Sequence, residues 1–154
     1  MVKGKTLTYN KKVIEFPVAT PDWSFWDFAF LNDSNPVEEW RVGLSDEGKL
    51  NFNAVLKNIR TIENPIYWTP LKRFLKGKYA KHRIWELEFK SDGRQYRVLG
   101  SFGKQRKQAI LLAGCYHKTK VYTPPDALDS ALDRARWLTE GRAKLRERKV
   151  RTDF

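Results

Sequence analysis

Three consecutive stretches with strand-like patterns constrain the fold of this chain more than any other feature. Apolar and polar residues alternate over 83–89, and a turn signal, Ser91-Asp92-Gly93, separates this stretch from a second one at 94–102. After a loop, 108–116 is the most apolar of the three. Two strands joined by a tight turn pair antiparallel. The pattern therefore predicts an antiparallel sheet with 108–116 near its centre.

Helices are predicted on both sides of this segment. Asn35-Pro36 is typical of a helix start, and Gly43 is typical of a helix end. Ser45 is a suitable cap for a second helix, and a third is expected to begin at 123–126 and to end at Gly141. The expected apolar faces are Phe52, Val55, Leu56, Ile59 and Ile62 in the second helix, and Leu128, Ala131, Leu132, Ala135 and Leu138 in the third.

The remaining elements complete an α+β pattern. A weak hairpin signal covers 5–18, a strand rich in aromatic residues is predicted within 23–31, and a short helical turn is expected over 70–75. The predicted fold class is α+β, an antiparallel sheet packed against helices, with an N-terminal extension. We expect Val55, Ile59, Trp85, Leu87, Phe89 and Leu111 to be buried together.

The positive charge of the chain is concentrated on the predicted strands. Between Lys72 and Lys120 there are 14 Lys and Arg against 3 acidic residues, so this segment carries nearly all of the formal net charge of +12. A folded basic surface is suited to a polyanion, most simply nucleic acid. The alternative is a charge excess that serves solubility alone.

The composition argues against several other classes of protein. Cys115 is the single cysteine, so an internal disulfide is excluded, and its apolar surroundings favour a core position over a nucleophile. Two histidines and one cysteine do not form a conventional zinc site, and no cofactor is expected. The chain has no apolar stretch near 18 residues, and because residues 1–12 are basic and polar we expect no signal peptide. We expect a cytoplasmic protein that does not bind membranes.

Five stretches carry a resemblance to a known family: NPVEEW at 35–40, WELEF at 85–89, QYRVL at 95–99, ILLAG at 110–114 and HKTKVYTP at 117–124. In this order they resemble the RelE/ParE/HigB toxin superfamily, and most closely its HigB-like branch, which is common in prophages. The resemblance covers about residues 24–140. It implies three parts: an N-terminal extension at 1–23, a RelE-like toxin domain at 24–141 and a basic C-terminal tail at 142–154.

The resemblance also implies a function. It predicts the toxin of a type II toxin–antitoxin system, restrained by a cognate antitoxin of the helix-turn-helix type. The activity best known in the superfamily is endoribonuclease cleavage of mRNA, usually on the ribosome. Other members poison DNA gyrase without catalysis, and an RNA-binding relative that has lost cleavage is a third reading.

Metal-independent cleavage by a 2′-hydroxyl group requires a proton acceptor, positive charge at the phosphate and a proton donor. Arg97 matches the arginine of the superfamily's Tyr-Arg motif, and its planar fork is suited to phosphate. The alternative is that Arg97 pairs with Glu86 or Glu88 across the hairpin. Arg97→Ala is expected to remove toxicity and to leave the fold intact. The candidate catalytic residues are Arg97, His117, Lys118 and Lys120; the candidate substrate-binding residues are Tyr122, Tyr116, Arg83 and Lys81; and Glu86 is expected to orient a basic group.

His117 is a candidate because imidazole exchanges protons near neutral pH. Lys118 and Lys120 match basic positions of the superfamily's final loop, although as exposed lysines they are equally suited to nonspecific phosphate contacts. Tyr116 and Tyr122 are candidates for stacking on unpaired bases, and Tyr116 alternatively ends a core strand.

Overall fold

The computed structural model describes residues 5–9, 12–16 and 21–151. Among them, the strands are β1 (Lys5–Tyr9), β2 (Lys12–Phe16), β3 (Ser24–Ala29), β4 (Leu71–Phe74), β5 (Trp85–Ser91), β6 (Arg94–Phe102), β7 (Gln108–Lys118), β8 (Val121–Thr123) and β9 (Lys144–Arg148). The α-helices are α1 (Pro36–Val42), α2 (Asp46–Ile59) and α3 (Ala127–Thr139), and two 3₁₀ segments cover Pro65–Tyr67 and Gly77–His82.

Seven strands form the main sheet, in the order β4-β5-β6-β7-β3-β9, with β8 paired to β7. The pairs are antiparallel except for β3 and β7, which run parallel. β6 lies on one side of β7, whereas β3 and β8 share its other side. The predicted α+β class and the central position of the most apolar strand are therefore confirmed, and the sheet is mostly rather than entirely antiparallel.

The helix caps form where the sequence predicts them. The side chain of Asn35 accepts a hydrogen bond from the backbone N–H of Glu38, and that of Ser45 accepts one from Gly48. Each cap satisfies a donor that has no partner within its own helix. α1 ends before Gly43, also as predicted.

One face of the sheet, here called the first face, packs against α1 and α2. Its buried cluster contains the expected core residues Val55, Ile59, Trp85, Leu87, Phe89 and Leu111. On β7, Gly114 permits close packing, because a Cβ atom there would lie 2.0 Å from Cδ2 of Trp40. The absence of a side chain at this position lets α1 approach the sheet.

The opposite face, here called the second face, packs against α3. Ala127, Ala131 and Ala135 are buried there and belong to the same cluster as Phe28, Leu99 and Leu112. Along β7, pairing with β3 ends at Leu111 and pairing with β8 begins at Tyr116. In this gap Nη1 of Arg134 donates a 2.7 Å hydrogen bond to the carbonyl oxygen of Leu112. The small side chains of α3 thus bring the helix close enough for Arg134 to satisfy the backbone of β7.

The predicted helical turn at 70–75 is wrong. Leu71–Phe74 forms β4, in which Leu71 pairs with Leu87 and Phe74 pairs with Trp85 of β5, with a register shift between Leu71 and Arg73. Local propensity over so few residues is weak, and antiparallel pairing with β5 outweighs it here.

The C-terminal segment also differs from the expected basic tail. Lys144–Arg148 forms β9, which pairs antiparallel with β3. Arg148 stabilises the position of β9, because its Nε and Nη2 donate to the two carboxylate oxygens of Asp27 at 2.8 and 2.7 Å. The guanidinium also donates to Glu38 at 2.9 Å. Part of 142–154 is therefore a strand of the sheet, while the predicted boundaries at 23 and 141 stay predictions.

The N-terminal hairpin signal corresponds to β1 and β2, which pair antiparallel in a sheet of their own. Positions 17 and 18 of the expected second strand lie outside the described residues. Among the helices described, none is long and apolar enough to cross a membrane.

Candidate functional site

The candidate site lies on the second face, around the carboxylate of Glu86. Side chains alternate along β5, so Trp85 and Leu87 enter the first-face core while Glu86 points to the other side. Glu86 is 0% exposed. A buried carboxylate is costly unless it is well paired.

Two side chains donate hydrogen bonds to Glu86, and a third forms an ion pair with it. Nε of Arg73 donates to Oε2 at 3.0 Å, Nη1 of Arg97 lies 3.4 Å from the same oxygen, and the hydroxyl of Tyr122 donates to Oε1. We call the set Glu86, Arg73, Arg97, His117 and Tyr122 the Glu86 cluster. Because both oxygens of the carboxylate are occupied, Glu86 is suited to orienting its neighbours rather than to taking a proton from a substrate.

Arg97 is the most enclosed cation of the cluster. Its side chain is 5% exposed, and its Nη2 lies 3.5 Å from Oε1 of Glu88 as well as 3.4 Å from Oε1 of Gln95. Its Nε is buried and has no hydrogen-bond partner among the described residues. The pairing with Glu86 and Glu88 that the sequence left as an alternative is therefore present, whereas the role of Arg97 in phosphate binding stays a prediction.

Arg73 is the cation of the cluster that reaches solvent. Its side chain is 52% exposed, and its Nη2 donates to the hydroxyl of Tyr122 at 2.8 Å. Burial lowers the pKa of Arg73, but the contacts with Tyr122 and Glu86 outweigh that effect and raise it. The sequence analysis missed this residue because 70–75 was assigned to a helical turn. Assigned to a strand, Arg73 would have been a candidate partner for a carboxylate on the neighbouring strand.

Tyr122 closes the cluster from β8. Burial raises its pKa to about 12, and the hydrogen bond to Glu86 acts in the same direction, while Arg73 lowers it. At neutral pH its hydroxyl is therefore protonated and able to donate. β8 and β5 are separated by β7 and β6, about 14 Å at the usual strand spacing. Because Tyr122 nevertheless touches Glu86, the sheet must curve over the second face here.

His117 lies beside Tyr122 and Arg97. Its ring centroid is 4.7 Å from that of Tyr122, and its Nδ1 is 3.4 Å from Nη2 of Arg97. A guanidinium has donors only, so Nδ1 accepts in this contact and the neutral ring carries its proton on Nε2. His117 can thus donate from Nε2.

Tyr116 lies on the other face of β7 from His117. Its ring packs against the first-face core, with the guanidinium of Arg94 4.6 Å from its centroid. Lys118 and Lys120 are exposed at the β7–β8 hairpin. A groove of about 530 Å³ connects these features, since Arg94, Gln95, Tyr116, His117 and Lys118 all line it. Tyr116 and Lys118 therefore adjoin the cluster without belonging to it.

Lys81 and Arg83 lie apart from the cluster. Both line a separate groove, where the guanidinium of Arg83 is 4.7 Å from the ring centroid of Phe102. Phe102 is five residues beyond Arg97 on β6, or about 17 Å along an extended strand. Their predicted role in substrate binding stays a prediction, but the structure does not bring them to Arg97.

Cys115 is buried next to the cluster, as expected for a core residue. Burial raises the pKa of its thiol to about 12, and Glu86 adds to this effect while Arg97 opposes it. The protonated thiol is a poor nucleophile. In the described part of the chain, no group of three or more His, Cys, Asp and Glu side chains is placed to hold a metal ion.

A family model matches most of this chain. The family described as "Phage derived protein Gp49-like (DUF891)" matches residues 39–136, which is more than half of the chain. No curated protein and no solved structure matches. The chain belongs to the Gp49-like family, a family of RelE/HigB-like type II toxins.

Proposed function

We propose that this Gp49-like toxin is a HigB-like endoribonuclease that cleaves mRNA on the ribosome without a metal ion. Family membership supports a toxin and a cognate antitoxin. The observation that carries the nuclease proposal is the Glu86 cluster, in which two guanidinium groups, a phenol and an imidazole meet on one curved surface.

The cluster offers the groups that cleavage by a 2′-hydroxyl requires. The half-exposed guanidinium of Arg73 is placed to bind the scissile phosphate, and Arg97 lies behind it. Positive charge held in place stabilises a pentacoordinate phosphate without the cost of reorganising solvent. Tyr122 keeps its proton at neutral pH, and once its hydrogen bond to Glu86 is released it is a candidate donor to the departing 5′ oxygen.

In this proposal His117 is the candidate proton acceptor for the attacking 2′-hydroxyl group. In the resting arrangement its Nδ1 is occupied by Arg97, so Nε2–H is the group available to the RNA. To act as the proton acceptor, the ring must first release Arg97, because only then is a ring nitrogen free to take the 2′-hydroxyl proton. The ribosome is expected to contribute by holding the RNA in a geometry suited to attack. Lys118 and Lys120 supply nonspecific phosphate contacts at the edge of the site.

The test is the Arg73→Ala variant of the full chain, expressed in cells with 5′-end mapping of mRNA. We expect toxicity and new 5′ ends to be lost, because the solvent-facing guanidinium is removed while Glu86 keeps Arg97 and Tyr122. Arg136→Ala is a matched control, since Arg136 is also ion-paired and has a 50% exposed side chain, but lies on α3. Circular dichroism checks that both variants fold. Full cleavage by folded Arg73→Ala protein would contradict the proposed site.

A noncatalytic toxin that binds gyrase or another protein is the second candidate. It is favoured by the enclosure of Arg97, whose charge is already balanced by Glu86 and Glu88. The same experiment separates the two candidates, because a gyrase poison stops growth without creating new mRNA 5′ ends.

A further inference from the structure

A second cavity, here called the α3 groove, lies beside the last turns of α3 and has a volume of about 630 Å³. It is bounded by α3, by the segment 81–83, by the loop between β6 and β7, and by 143–145 at the start of β9. A cavity of this size lies within the range of binding pockets, about 300–1,000 Å³. The Glu86 cluster does not account for it, since none of the cluster residues lines it.

The rim of the α3 groove is positively charged. Its lining includes Lys81, Arg83, Lys104 and Lys144, and no Asp or Glu. Lys144 pairs with Asp33. In the described ranges, Lys81 and Lys104 form no ion pair within the 4.0 Å limit of a salt bridge. The rim is therefore complementary to a ligand that carries carboxylates or phosphates.

The floor of the α3 groove is aliphatic. The side chains that form it are those of Ile110, Ala135, Leu138, Ala143 and Leu145. The lining has two aromatic rings: Phe102, whose ring the guanidinium of Arg83 already covers, and the imidazole of His82. Grooves for single-stranded RNA stack successive bases on aromatic faces, and one small imidazole ring is a weak platform for that. An aliphatic floor with a cationic rim instead fits an amphipathic helix with an acidic polar face.

We propose that the α3 groove binds an acidic amphipathic segment of the cognate antitoxin. Its aliphatic side chains would lie on the floor, and its Asp and Glu side chains would face Lys81, Arg83 and Lys104. The inference rests on the toxin role of the chain, but not on its nuclease activity. Tyr122 precedes the start of α3 and the groove lies at its end, about 20 Å away for 13 residues. An antitoxin segment bound in the α3 groove alone would therefore leave Arg73 uncovered.

The test uses the full chain and, as the probe, the protein encoded by the gene next to its own. The variant Lys104→Glu/Thr139→Glu places two carboxylates on the rim at exposed positions of the groove. The control is Lys49→Glu, which reverses a charge on α2 and on the other side of the sheet. Dissociation constants are measured by titration calorimetry, and folding is checked by circular dichroism.

We expect the double variant to bind the antitoxin at least tenfold more weakly, which corresponds to about 1.4 kcal/mol. The Lys49→Glu variant should bind within about twofold of wild type, since remote surface charges change affinity little. Without the antitoxin the double variant should still arrest growth. It should then resist neutralisation by coexpressed antitoxin.

Equal affinities of wild type and double variant would overturn the proposal, as would an equal loss in Lys49→Glu, which would indicate a nonspecific charge effect. Failure of the neighbouring gene's product to bind the wild-type chain would also overturn it. Loss of single-stranded RNA binding by the double variant, with antitoxin binding unchanged, would assign the groove to RNA instead. Failure of the nuclease proposal is distinguishable, because it appears as absent mRNA cleavage and does not enter the binding measurement.

Discussion

The contact between Arg97 and Glu86 should contribute strongly to the stability of the fold. The sequence alone predicts that Arg97→Ala spares the fold, but the structure changes that expectation because both side chains are buried, 5% and 0% exposed. Removing one partner of a buried ion pair costs about 3–5 kcal/mol, since the other charge is left uncompensated. Arg73 and Tyr122 continue to hold Glu86, so the lower end of that range is expected for Arg97→Met, which keeps most of the side-chain volume.

The magnitude is measurable by urea denaturation followed through tryptophan fluorescence, since the chain has 6 tryptophans. A loss of about 3 kcal/mol corresponds to a decrease in Tm of roughly 6–12 °C for a chain of this size. Glu86→Gln/Arg97→Met is the companion variant, because it removes both charges of the pair. It should be destabilised by less than the sum of the two single variants, with a coupling of about 0.5–3 kcal/mol.

Two results would refute this reasoning. Arg97→Met with a free energy of unfolding within about 1 kcal/mol of wild type would show that the buried charge of Glu86 is satisfied without Arg97. Strict additivity in the double variant would show that the two side chains do not interact in solution.

Two further predictions concern stability. Leu111→Ala in the first-face core should lower the free energy of unfolding by about 2–5 kcal/mol, because it leaves a cavity in a fully buried cluster; thermal unfolding measures it, and a change below about 1 kcal/mol would contradict its burial. Stability should fall as pH rises from about 9 to 12, because Tyr122 and Cys115 hold their protons up to a pKa of about 12 in the folded state but release them earlier when unfolded. Tyr122→Phe should flatten the part of this fall above about pH 10, which is where free tyrosine titrates; an unchanged pH profile would argue against the buried hydroxyl.

The helix starts predicted correctly are specified by local interactions. The caps at Asn35 and Ser45 bond to backbone groups three residues ahead, so both ends of each contact lie within one short stretch of sequence. β4 and β9 were missed because each is short and rich in Lys and Arg, so its own sequence carries little strand signal and its position depends on pairing. Lys144–Arg148 alternates poorly and is highly charged, and its position depends on β3 and on the buried Asp27 that receives Arg148.

The residues of the candidate site also separate into those that the sequence predicts and those that it does not. The sequence predicts Glu86 and Arg97 on the two strands of one hairpin and His117 directly after the neighbouring strand, and the register of the sheet brings them together. Arg73 could not be found without β4. Tyr116 and His117 are adjacent in sequence, so in a strand their side chains point to opposite faces. Grouping both into one site conflicts with that alternation, and only the groove beside the hairpin connects them.

The charge balance of the Glu86 cluster indicates how attraction and chemistry are divided on this surface. Arg73 and Arg97 are matched by Glu86 and Glu88, so the cluster and its margin carry almost no net charge. Long-range attraction of a polyanion depends on net charge, which here must come from exposed cations such as Lys118 and Lys120 at the β7–β8 hairpin. A site whose charges are internally paired instead holds its donors in fixed positions. This is what stabilisation of a transition state requires, because donors already in place need no reorganisation when charge develops on the phosphate. In the proposed nuclease, exposed cations between Lys72 and Lys120 would attract the RNA, while the carboxylate of Glu86 holds Arg73 and Tyr122 in position.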